Sequence, residues 1–127
     1  MSHFTEKELA YLASGLLGRL ATVGADGTPH IAPVGMAAYN PRLDTLDIGG
    51  HDLPSTKKFR DIRITGRAAF VVDDLASVDP WRPRGIEVRG RAEAIEEPVP
   101  LLRLFPERIV AWGIDGDSFE RNSRSIR

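Results

Sequence analysis

Residues 67–95 read "RAAFVVDDLASVDPWRPRGIEVRGRAEAI". The opening "RAAFVVDD" is almost continuously apolar, the pattern of a strand covered on both faces and therefore central in its sheet. A loop punctuated by Pro80 and Pro83 follows, and then a long strand begins at Gly85. Along it Ile86, Val88 and Gly90 share one face while Glu87, Arg89 and Arg91 share the other. A strand of this length, interrupted by glycine and joined by short connections, favours closure into a small barrel over an open sheet.

Working outward, residues 18–39 predict two strands around a tight turn at Ala25-Asp26-Gly27-Thr28, because the Asp-Gly pair supplies the positive φ such a turn needs. Leu20 and Thr22 on the first strand, and His30, Ala32 and Val34 on the second, alternate faces. "LDTLDIGG" predicts a third strand with Leu46 and Ile48 on one face. Residues 55–65 predict a short helix docked by Phe59 and Ile62 and stopped at Gly66. An earlier helix starts at Thr5, with Glu8 at capping-box spacing. Downstream, "PVPLLRLFP" suggests a helical turn, "ERIVAWGID" a last strand, and "GDSFERNSRSIR" a frayed polar end. The expectation is about six strands with one or two short helices, a mainly β, α+β fold in one domain spanning 1–127, ordered over about 4–116.

The 127 residues carry a formal net charge of −1, which argues against a nucleic-acid partner held by overall charge. No apolar run approaches the roughly 20 residues of a membrane-spanning helix, and the N-terminus lacks the pattern of a secretory signal. With no cysteine, a disulfide framework, cysteine-ligated zinc and thiol catalysis are excluded, and a cytoplasmic setting fits best. His3, His30 and His51 lack metal-ligand spacing. No Gly-x-Ser-x-Gly occurs, and Asp73-Asp74 and Glu96-Glu97 are sequence neighbours that point to opposite sides of their strands. No catalytic side chain is identified and no metal site is expected.

Against this neutral background, Lys57, Lys58, Arg60, Arg63 and Arg67 are concentrated after "LPST", opposed only by Asp61. If Ser55 caps the helix, the amides of residues 56–58 are free and the helix dipole favours an anion there. Lysines in a first turn are electrostatically awkward, and a bound phosphate removes the conflict; the alternative is a face of lysines pointing into water. A second basic segment, "WRPRGIEVRGR", places Arg82 and Arg84 beside Trp81. That combination clamps an acidic or planar ligand, or else forms the rim around a packed indole. Trp112 reads as a core or interface residue.

The ordered pieces "GRLATVGADGTPHIAPVGM", "LDIGG", "STKKFRDIRITGRAAFVVDD", "PWRPRGIEVRGRAEAI" and "PERIVAWGID" resemble the pyridoxamine 5'-phosphate oxidase-like flavin/deazaflavin oxidoreductases. Within these they look most like the actinobacterial branch that uses coenzyme F420 and includes a tetracycline-pathway reductase. The resemblance implies a six-stranded antiparallel split β-barrel with short flanking helices and a homodimer with cofactor at the subunit interface. It implies a phosphate seat at Ser55, Thr56, Lys57 and Lys58, with Arg60 behind. It also implies a ring lying against Pro33, Val34 and Gly35 and against Ile48, Gly49 and Gly50. Trp112 becomes a ring contact from the partner, and Arg82 and Arg84 reach the polyanionic tail of a deazaflavin. The C-terminal substrate-phosphate motif of the full pyridoxamine 5'-phosphate oxidases is missing, which puts vitamin B6 oxidation in doubt.

The implied activity is hydride transfer from reduced F420 to an unsaturated small organic substrate, with the proton drawn from solvent, Tyr39 or His30. The alternatives are an FMN-binding relative of the oxidases, or a protein that holds flavin or deazaflavin without turnover.

Overall fold

The computed structural model describes residues 2–35, 37–116 and 118–126. Helix α1 (Glu6–Leu12) leads into strands β1 (Gly18–Val23), β2 (Pro29–Val34), β3 (Ala37–Asn40) and β4 (Thr45–Ile48). A 3₁₀ turn (Leu53–Ser55) precedes helix α2 (Lys57–Thr65), and β5 (Arg67–Ser77), β6 (Arg82–Ile95), β7 (Leu101–Trp112) and β8 (Arg121–Ser125) complete the chain. All pairings are antiparallel, in the order β2-β1-β5-β6-β7-β4-β3, with β8 also on β7.

That order makes the barrel. Strands β2 and β3 lie at opposite ends of the hydrogen-bonded path, yet Val34 and Ala37 are three residues apart in sequence. Three residues span at most about 11 Å, so the sheet must curl until its two edges meet at a corner. The β2 edge is blunted by Pro29 and Pro33, which lack the N–H that a further strand would need. Inside the curl, Leu20, Ile48, Ile86, Val88, Leu104 and Ile109 are at most 1% exposed. Helix α2 closes the barrel with Phe59 and Ile62, each burial contributing roughly 1.5–3 kcal/mol. Gly66 ends it at φ 68°, and its carbonyl accepts the Ala92 amide of β6, fixing the helix to the wall.

The described residues form eight strands where about six were expected: the second strand of the expected hairpin parts into β2 and β3, and β8 is added near the C-terminal end, where the other differences also lie. "LLRLF" is no helical turn: Leu102 and Leu104 face the core and pair with Ile48 and Leu46 of β4. It runs on into "ERIVAW" as one twelve-residue strand. Pro106 sits where the β6–β7 register slips, between Gly90↔Pro106 and Arg89↔Arg108, so the missing N–H falls at a bulge. Nor are residues 121–125 frayed; positions 117 and 127 of the same polar stretch lie outside the described residues. Residues 121–125 pair with the outer half of β7, and Arg124 reaches back to the fully buried Glu8. Glu8 also completes the expected capping box with Thr5 at the start of α1.

Among the described residues no helix is long and apolar enough to cross a membrane.

Candidate cofactor site

The corner where the sheet edges meet brings together two of the predicted backbone stretches. Pro33 and Val34 end β2 with Gly35 just beyond, Ile48 ends β4, and Ala37 at the start of β3 pairs with Ile48. Gly49 and Gly50 follow directly, and a Cβ at Gly50 would touch Leu53 of the 3₁₀ turn at 3.4 Å. The corner thus leads within a few residues to the start of α2.

There the expected cap moves by one residue. Pro54 and Ser55 belong to the 3₁₀ turn, whose amides are already used: Ser55 donates to Asp52 and Thr56 donates to Leu53. Thr56 is the N-cap, its hydroxyl accepting from the Phe59 amide at 3.3 Å and donating to the Leu53 carbonyl at 2.7 Å. The free donors are therefore the amides of Lys57 and Lys58, with no partner among the described residues; that of Thr56 is spent.

The two lysines play different parts. Lys57 Nζ donates to both oxygens of Asp61, at 2.9 and 3.2 Å, and the Thr22 hydroxyl of β1 donates to the same carboxylate at 2.8 Å. Asp61 is 3% exposed. Burial alone would raise its pKa, but the hydrogen bonds from Lys57 and Thr22 and the charge of Lys57 outweigh that and hold it below the ordinary carboxylate value. Lys57 Nζ also lies 3.5 Å from where a side chain would begin at Gly24, so this lysine clasps the helix start to the β1–β2 hairpin. Lys58 is half-buried and makes no ion pair or side-chain hydrogen bond among the described residues; Arg60 is exposed and likewise unpaired. Arg63 and Arg67 pair with Glu96 and Glu107 on the surface.

Arg82, Arg84 and Trp112 are elsewhere. Thr22 is level with Ala68 and Gly90 across the sheet, and Arg82 lies on β6 roughly 25 Å further along, away from α2. Arg84 grips Asp74 through two hydrogen bonds of 2.7 and 3.0 Å, and Tyr11 of α1 donates its hydroxyl to the same carboxylate. The Arg84 hydrogen bond, aided by that of Tyr11, keeps Asp74 below its usual range, while burial and Asp74 push the Tyr11 phenol up. Arg84 is thus engaged within the chain. Trp112 packs its indole on Gly85, where a Cβ would lie 2.5 Å from the ring, and receives Arg121 over its face at 5.7 Å. Of the proton sources considered, Tyr39 is occupied in donating to Asp44 at 2.6 Å.

The structural roles of Asp61, Thr22, Tyr11 and Asp74 emerge only in the folded chain. Asp61 was visible as the lone acid among five cations, four residues after Lys57; the Tyr11–Asp74–Arg84 cluster left no such signal, because its members are up to 73 residues apart.

A curled antiparallel sheet closed at one corner, with an amide-rich helix start beside that corner, is the scaffold of a split-barrel oxidoreductase. A family model described as pyridoxamine 5'-phosphate oxidase matches residues 4–126. A relative from Streptomyces rimosus, 5a,11a-dehydrotetracycline/5a,11a-dehydrooxytetracycline reductase, is 42% identical over 123 residues, covering 90% of this chain and 86% of its own. The chain belongs to the pyridoxamine 5'-phosphate oxidase family and is an oxidoreductase. Its fold is similar to an FAD-binding protein from Mycobacterium smegmatis (TM-score 0.64, 21% identity, 98% of this chain and 100% of that one). It is similar too to an F420 reductase (TM-score 0.63, 21% identity, 84% and 98%).

Proposed function

We propose that this protein is a reductase that binds a phosphate-bearing deazaflavin, F420, and passes hydride to an unsaturated organic substrate. The observation that carries the reading is the start of α2. The amides of Lys57 and Lys58 and the Lys58 ammonium have no partner among the described residues, and one 3₁₀ turn joins them to the Gly49-Gly50 backbone. Donors of this kind fit a phosphate, and a helix start adds a favourable field. The 42% identity to a dehydrotetracycline reductase supports reduction of a carbon–carbon double bond as the reaction class.

When bound, the deazaflavin supplies a hydride. The chain's own residues do the rest. The amides of Lys57 and Lys58 and the Lys58 ammonium hold the phosphate. Thr56, capping the helix, keeps those amides aimed outward. The Asp61–Lys57–Thr22 clasp fixes the helix start against β1. Backbone at Pro33–Gly35 and Ile48–Gly50, which meet at the barrel corner, would lie against the planar ring. With Tyr39 bound to Asp44, the proton that completes reduction comes from solvent or from His30. With Arg84 held by Asp74, the tail contact implied by the resemblance is no part of this proposal.

We further propose a homodimer with the site at its interface. The outer face of β1 and β2 carries Ala21, Val23, Pro29, Ile31 and Pro33, with Arg19 as its one charge, and continues onto Ala69 and Val71 of β5. Ile31 is 65% exposed. A face of this kind calls for a cover, and a second copy lying there would stand over Pro33 at the rim of the corner.

The test is titration of the purified protein with F420 and with FMN, followed by fluorescence, and then loss of absorbance of reduced F420 with 5a,11a-dehydrotetracycline. Tight F420 binding with turnover is the expected result. A protein that purifies yellow with stoichiometric FMN and ignores F420 sinks the deazaflavin reading. F420 binding without turnover on unsaturated acceptors leaves a carrier.

A further inference from the structure

At the end of β6 remote from α2 the structure holds a second feature that the cofactor reading does not use. The tip of the β5–β6 hairpin and the exit of β7 border an open cleft of about 400 Å³ lined by Ala76, Pro80, Trp81, Arg82, Gly113 and Phe119, among others. Its size falls within the range of small-molecule sites. Trp81 is 55% exposed and Phe119 74%, and they are the aromatic members of the exposed large apolar side chains among the described residues; both line this one cleft. Arg82 is the one charged side chain among its described lining residues, and none of the ion pairs there includes it. Its neighbour Arg84 is by contrast fully engaged with Asp74.

The walls are held in place by backbone. Gly113 has φ 70°, and a Cβ there would lie 2.4 Å from the Pro83 carbonyl, so the exit of β7 is pressed against the strand that carries Arg82. Around Gly113 the cleft adjoins a second one, in which Arg121 stands over the Trp112 ring.

We infer that this cleft is a binding site for a planar aromatic acid. Two exposed rings take up a flat π-system by stacking, and a guanidinium with no ion-pair partner among the described residues takes up a carboxylate or comparable oxyanion with paired hydrogen bonds. A saturated ring of equal size lacks the stacking, and an uncharged ester lacks the guanidinium contact. The inference does not depend on the cofactor reading, because the cleft and the start of α2 lie at opposite ends of β6.

Naphthalene-2-carboxylate is the probe, titrated calorimetrically into the full-length protein without cofactor. In parallel, ¹⁹F spectra are recorded on protein labelled with 5-fluorotryptophan, in which Trp81→Phe identifies one of the two resonances. The expected result is saturable one-to-one binding that shifts the Trp81 resonance. Arg82→Gln should weaken it about tenfold. Cyclohexanecarboxylate and methyl 2-naphthoate should each bind at least about tenfold more weakly to the wild type. Arg82 and Phe119 are exposed, so Arg82→Gln and Phe119→Ala test the cleft without touching the core. Absence of saturation, equal affinity in wild type and both variants, or a shift confined to Trp112 overturns the inference.

Discussion

At the residue scale the informative contrast is between Lys57 and Lys58. They are adjacent and chemically identical, and the sequence offered both as phosphate ligands; the structure spends one on Asp61 and leaves the other open. Lys58→Ala should therefore weaken F420 binding by about 1.5–3 kcal/mol, the range of a charge-assisted contact, with stability little changed. Fluorescence titration beside a urea melt checks both halves, and unchanged affinity removes Lys58 from the seat. Asp61→Asn should act the other way round. It removes the charge that Lys57 and the Thr22 hydroxyl converge on inside the barrel wall, at a cost of about 1–3 kcal/mol in urea unfolding. The sign with pH follows from the lowered folded pKa of Asp61, shared by Asp47 and Asp74. The stability these carboxylates contribute is complete above their ordinary value of 3.8 and is lost as pH falls from there through the folded values. The urea midpoint should thus drop below about pH 4, and Asp61→Asn should flatten that drop.

At the element scale, what was legible was whatever rests on local rules. The Asp-Gly hairpin, the capping box of α1, the Phe59/Ile62 face of α2 and the paired strands of 67–95 each announce themselves within one continuous stretch of sequence. Strand β8 does not. Its sequence "RNSRS" has no apolar alternation, because it covers an outer edge and buries almost nothing. It is a strand because β7 offers it a free edge, and it is held because Arg124 meets Glu8. Arg124→Ala leaves that fully buried carboxylate with only the Thr5 amide and should cost about 2 kcal/mol or more. Amide exchange should show the loss first in α1 and β8, and uniform exchange across the sheet would refute the latch. Strand β7 was divided in the reading because Pro106 looks like an end. The structure keeps it whole by slipping the register there, and Gly90 is what permits this: a Cβ at that position would sit 2.0 Å from the Phe105 carbonyl. Gly90→Ala should cost about 3 kcal/mol or more, whereas Gly116→Ala, with open space around it, should be close to neutral in the same melt.

At the scale of the whole molecule, the position of the candidate site follows from closure. Residues 33–35 and 48–50 belong to opposite ends of the strand order and meet because the chain between β2 and β3 is too short to let them part. That meeting could not be derived from the two segments separately; it needed the full pairing order. The same order shows which surface is left over. The outward positions of β1 and β2, with their neighbours on β5, form an apolar strip of Ala21, Ile31, Pro33, Ala69 and Val71, at whose centre Ile31 stands exposed. A solvated edge strand would alternate charged residues outward, and β2 instead turns out two prolines and an isoleucine. Ile31→Glu places a charge in the middle of that strip without entering the core, so the fold should persist by circular dichroism. If the strip is the face between two copies, sedimentation should show the wild type as a dimer and the variant as a monomer. F420 affinity should fall with it, since the partner covers the rim of the corner at Pro33. A variant that stays dimeric with full affinity would move the interface elsewhere. One that turns monomeric and still binds F420 fully would leave the dimer standing and show that a single chain suffices for the cofactor.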